Sequence, residues 1–130
     1  MKNLIALVVL LALTAVTSAQ NVLPFPVTVG GQPAAMTDRS TTVSFIAQPV
    51  AANAAMGVKN VEGQVIVNLF PSDELGNPKQ SGAQPMVLLF DAGQSKPISD
   101  NMQKQKPTPG WYLANVVAGG NTSRVVFQVK

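Results

Sequence analysis

Apolar side chains recur at every second position in short runs along this chain, and proline, glycine or small polar residues cut each run. Successive side chains on a strand point to opposite faces, whereas a helix needs a repeat near 3.6, so the pattern directs the chain to short strands. Leu23, Phe25, Val27 and Val29 alternate in this way. Pro24 and Pro26 lie between them and offer no amide hydrogen to a ladder, which restricts this segment to an edge strand or a free extended arm. Residues 41–48 form the next run, with Val43, Phe45 and Ala47 on one face, and Pro49 ends it. Residues 51–56 are read as at most one helical turn, limited by Gly57.

Two hairpins are predicted further on. Residues 64–70 are apolar on both faces, the mark of a central strand, and residues 85–90 follow after a segment rich in turn formers, 71–78. Residues 91–109 are polar and punctuated by proline, with a short edge strand around Ile98. At the C-terminal end, residues 110–118 alternate, Gly119-Gly120-Asn121 supplies a tight turn, and residues 123–130 carry Val125, Phe127 and Val129. In the first strand of this hairpin, Trp111 with Leu113 and Val117 is read as the core face, which leaves Tyr112 more exposed near a loop end.

The first nineteen residues have another character. Lys2 provides a positive start, residues 4–13 are an almost unbroken apolar run, and Thr17-Ser18-Ala19 places small residues where a signal peptidase cuts. A bilayer span needs roughly 20 apolar residues, and Thr14, Thr17 and Ser18 interrupt this run too early. The expectation is a cleaved signal peptide over 1–19, an extended arm or first strand over 20–31, and one β-sandwich domain over 32–130, with no membrane span in the mature chain. The destination is secretion, the periplasm or the cell envelope.

Composition narrows the chemistry. The chain has no Cys and no His, which removes disulfide scaffolds, thiol nucleophiles, zinc sites built on those ligands and imidazole catalysis. Cleavage would remove Lys2 and no acid from a chain of net charge +3. The remaining basic residues are scattered, with no stripe suited to a phosphate backbone, so nucleic acid is not an expected partner. Asp73 and Glu74 are the only adjacent acids; a glycosidase pair needs two carboxylates held apart across a cleft, and these sit in a turn. Asp73, Glu74 and Asn77, or Asp91, Asp100 and Asn101, do not follow the spacing of a calcium loop. The methionines are dispersed, with Met86 read as core and Met36, Met56 and Met102 as surface or gap filling. No catalytic, cofactor or metal residue is assigned, and the chain is read as a non-enzyme without cofactors.

The strand segment from Pro109-Gly110-Trp111-Tyr112-Leu113 to Asn115-Val116, followed by Arg124-Val125-Val126-Phe127-Gln128-Val129, resembles the last two strands of immunoglobulin-like domains. That resemblance implies an all-β, antiparallel immunoglobulin-like β-sandwich of about six or seven strands. In such sandwiches a tyrosine commonly braces a corner, and that is the structural reading of Tyr112 beside its reading as a contact residue. The disulfide and buried-Trp spacing of true immunoglobulin domains are absent, so no binding residue is carried over from it.

The functional expectation is an exported module for protein–protein interaction or envelope structure, self-associating through its N-terminal strand or binding another protein. Leu23, Phe25, Val27, Val29 and Tyr112 are the candidate contact residues, because a proline-restricted extended arm suits addition to a sheet edge. The alternative is a small carbohydrate- or ligand-binding module using Tyr112 and the loops at 71–84 and 91–109. There Lys96, Lys104 and Lys106 would face an anionic glycan or headgroup.

Overall fold

The computed structural model describes residues 23–79 and 85–130. The proposed leader, the arm residues before Leu23 and the last part of the 71–84 loop, residues 80–84, lie outside them. Among the described residues ten strands, several only two or three residues long, form two sheets where about six or seven strands are expected. β1 (Val27–Val29), β2 (Gln32–Pro33), β5 (Ala55–Val58) and β8 (Ser95–Pro97) make a four-stranded sheet in the order β2-β1-β5-β8. β3 (Ala35–Thr37), β4 (Ser40–Phe45), β6 (Gln64–Ser72), β7 (Met86–Asp91), β9 (Gly110–Ala118) and β10 (Asn121–Val129) make a six-stranded sheet in the order β3-β4-β10-β9-β6-β7. The architecture is an all-β sandwich.

Its core is made by the alternation noted in the sequence. Phe25, Val27, Val29, Met56, Val58 and Ile98 come from the smaller sheet and its flanks, and they meet Val65, Val67, Leu69, Leu88, Val116, Val125 and Phe127 from the larger one. Full burial of such a side chain is worth about 1.5–3 kcal/mol, and this inter-sheet layer replaces the disulfides the chain lacks.

The C-terminal hairpin forms where it is expected, its register running from Asn121 opposite Ala118 to Val129 opposite Gly110. Gly119 and Gly120 both take positive φ, at 58° and 80°, which a two-residue turn demands. β6 pairs with β7 on one side and β9 on the other, the central position its two apolar faces predict.

Several expectations need correction. The larger sheet is mixed, because β4 runs parallel to β10, with Val125 opposite Ser44. The strand in the 41–48 run ends at Phe45; beyond it the Ile46 amide still bonds the Val126 carbonyl and Val50 bridges Val129, and both side chains are buried in the main core. Where a helical turn was read, a turn closed by Ala54 N–H to the Ala51 carbonyl leads into β5. Met56 is therefore a fully buried strand residue and not a surface one. Gly57 has a packing reason to be there: a β-carbon would come within 3.2 Å of Thr28 Oγ1 on the neighbouring strand.

Candidate interaction face

The four contact candidates of the arm serve the chain's own sandwich. Val27, Thr28 and Val29 pair with Val58, Gly57 and Met56, and Phe25, Val27 and Val29 are buried between the sheets, while Leu23 is half-buried beside them. Pro24 and Pro26 precede the ladder, where a missing amide hydrogen costs nothing. β1 is not the outermost strand, because the chain turns back at Gly30-Gly31 and lays the two-residue β2 along it.

Tyr112 and Trp111 exchange the faces expected of them. Tyr112 shares the inward face with Ala114, Val116 and Ala118, is 5% exposed, and stacks on Phe127 at 5.9 Å between ring centres. Its hydroxyl donates to the Thr108 carbonyl at 3.0 Å and accepts from the Thr108 amide at 3.0 Å. The ring thus ties the 98–109 loop to β9, with its stacked face buried against Phe127. Trp111 lies on the outside of the larger sheet, half-buried against Val43, Phe45, Leu113 and Val126.

The three lysines of the ligand-binding expectation do not converge. Lys96 donates to the Leu89 carbonyl at 3.2 Å, and Lys104 lies 4.0 Å from Asp100 in an exposed pair. Lys106 lines a shallow groove of about 390 Å³ with Tyr112, Met86 and Pro107.

The acidic groups also have local work. Asp73 accepts hydrogen bonds from the Leu75 amide at 2.8 Å, the Asn77 amide at 2.9 Å and Asn77 Nδ2 at 3.0 Å. These bonds, led by the Asn77 side chain, hold its carboxyl below the ordinary carboxylate value. Asn101, from the other acidic group, is buried and organises its own loop through Ile98 and Gln105. Among the described residues no cluster of three or more acids is placed to hold a metal ion.

With its loop drawn tight, the Asp73 turn folds over the outer face of the larger sheet. Gly76 packs on Val126, Leu113 and Val43. Arg39 fastens the cover: its guanidinium sits 4.5 Å from the Phe45 ring centre and 5.8 Å from that of Trp111, and Nη2 donates to the Glu74 carbonyl at 3.1 Å. One half of the outer face is thereby buried under its own loop.

The other half is open. Ile66 lies between Leu89 and Val117 on the flanking strands, and in the next row Asn68 lies between Val87 and Asn115. Ile66 is 38% exposed, and Val87, Leu89 and Val117 are half-buried. The charges stand at opposite corners: Asp91 opposite Gln64 on β7, and Arg124 opposite Asn115 on β10. Among the described residues Leu75 on the covering loop and Met102 beside Val87 are the other exposed large apolar residues, at 43% and 61%.

The edge beside this face is closed to strand addition. The Val87 amide donates to Gln103 Oε1 at 2.8 Å, the Val87 carbonyl accepts from the Met102 amide at 2.8 Å, and Lys96 occupies the Leu89 carbonyl. At the other ends of the two sheets, β3, β2 and β8 are two or three residues long. Short or covered edges suppress pairing between sheets, so the exposed apolar surface is a face and not an edge.

Sequence reasoning missed this face because Ile66 lies in a strand apolar on both sides and Val117 falls in the row read as core, while nothing in the 85–90 run singles out Leu89. Arg39 and Gly76 carried no local signal of their roles. Compared with protein-family models, curated proteins and solved structures, the chain shows no significant match to any of them. Among the described residues no helix is long and apolar enough to cross a membrane.

Proposed function

We propose that this chain is an exported, non-enzymatic β-sandwich module of immunoglobulin-like type that acts in the envelope or outside the cell by protein–protein contact. The contact surface is the open half of the outer face of the larger sheet. Export rests on Lys2, the apolar run 4–13 and the small residues Thr17, Ser18 and Ala19. The immunoglobulin-like type is supported by the Tyr112 brace at the start of the penultimate strand, whose hydroxyl bonds four residues upstream.

The observation that carries the contact reading is Ile66, exposed among Leu89, Val87 and Val117 with charge only at the borders. Contiguous exposed apolar side chains with a polar rim mark interaction sites on folded proteins. The non-enzymatic reading is supported by Asp73, whose carboxylate is committed to the 73–77 turn.

A photo-crosslinking residue at position 66 or 117 in cells that export the protein tests the reading, with position 59 on the Lys59 turn as control. Discrete protein adducts at 66 and 117 and none at 59 are expected. Adducts equally distributed, or none at 66 and 117, would remove the proposed surface.

A further inference from the structure

We infer that the partner of this face is a second copy of the same chain, paired through a two-fold axis over Ile66 and Val117. The inference rests on the contact reading above and names the occupant of the same surface. Its basis is the placement of the two border charges. Asp91 lies three strands from Arg124 in the order β7-β6-β9-β10. Gln64, opposite Asp91, is two residues to one side of Ile66; Asn115, opposite Arg124, is two residues to the other side of Val117. From ordinary strand spacing and rise the two charges are about 20 Å apart, with Ile66 and Val117 at the midpoint.

That arrangement is self-complementary. A two-fold axis in the plane of contact, crossing the midpoint at right angles to the Asp91–Arg124 line, sets Asp91 of each copy against Arg124 of the other. Ile66 and Val117 then meet at the centre, where burial is most complete. Among the described residues neither Asp91 nor Arg124 has an ion-pair partner within its own chain. A partner of one charge sign would match only one corner of the patch; a second copy matches both.

The patch spans four strands and about five residues, a few hundred Å² from the same spacings, which is below the roughly 800 Å² per partner of stable complexes. Leu75 and Met102 at its margins enlarge it. The pairing is accordingly weak and concentration-dependent.

Sedimentation equilibrium of the chain from Gln20, between about 10 µM and 1 mM, reads it directly. The parent chain should pass from monomer to dimer. Asp91→Arg alone and Arg124→Asp alone should each weaken the dimer about tenfold or more, since each sets like charges together twice. An equimolar mixture of the two single variants should dimerise again to within about threefold of the parent, because unlike corners then meet at both contacts. Both positions are exposed, and far-ultraviolet circular dichroism checks that each variant keeps its fold. A monomeric parent at 1 mM, undiminished pairing in either single variant, or a mixture that stays monomeric each overturns the inference. Adducts with a different protein at position 66, from a chain that stays monomeric, would sink self-pairing and leave the contact face standing. No adduct and no dimer would remove both.

Discussion

Gly76 rests on Val126 so closely that a β-carbon at position 76 would lie 2.8 Å from Val126 Cγ2. The glycine also holds φ at +87°, a region that side chains disfavour. Gly76→Ala therefore meets both strain and overlap, and the expected loss is about 1–3 kcal/mol. Urea unfolding followed by Trp111 fluorescence measures it, since the tryptophan sits under the same cover. An unchanged midpoint would mean that the 73–77 loop does not pack on the sheet.

Asp73 makes the same loop sensitive to acid. Its folded-state pKa is lowered from 3.8, so its stabilising contribution is fully present above that value and is lost as pH falls through the lower folded value. Amide exchange at Leu75 and Asn77 should accelerate relative to β9 as the solution is acidified below about pH 4, beyond the intrinsic pH dependence of exchange. Asp73→Ala, which removes the oxygen that accepts from both amides, should leave them poorly protected at neutral pH and remove the extra acid response. Equal protection in parent and variant at neutral pH would show that the carboxylate does not hold the turn.

Tyr112→Phe keeps the ring against Phe127 and removes only the bonds to Thr108. The expected cost is about 1 kcal/mol, typical of a partly buried hydrogen-bond pair. Equilibrium denaturation is the check, together with the amide resonance of Thr108, which should shift strongly. Stability that did not change, with an unshifted Thr108, would contradict the brace.

Phe25→Ala asks whether the arm belongs to the core of its own chain. Phe25 is 1% exposed, and truncation of a buried aromatic costs about 3–5 kcal/mol. If the arm is an intramolecular strand, the loss of stability is the same at every protein concentration. A loss that grew on dilution would instead mean that the arm is exchanged between copies.

The strands were legible where alternation coincided with turn chemistry. Gly119-Gly120 between two alternating runs specified the final hairpin, and the doubly apolar 64–70 run specified a central strand. Facing was not legible in the same way. Trp111, Leu113 and Val117 alternate with Tyr112, Ala114, Val116 and Ala118, and both rows are apolar. Periodicity cannot rank two apolar rows, and the outer one is apolar because a loop distant in sequence covers part of it. β5 escaped notice because Ala-Met-Gly-Val is short, with Gly57 chosen for closeness to Thr28 and not for strand propensity. The parallel β4–β10 pair depends on a long crossover that no local pattern encodes. The contact face was the least legible, since exposed Ile66 and buried Val67 are the same kind of residue one position apart.

Backbone amide shifts over a dilution series, with β1 and β5 as the internal reference, test directly which surface makes contact. The account predicts concentration-dependent shifts at residues 64–68, 87–91 and 115–117 and at Arg124, centred on Ile66, while residues 27–29 and 55–58 stay constant. Shifts confined to β1, β2 and β5, with Ile66 and Val117 unmoved, would contradict it.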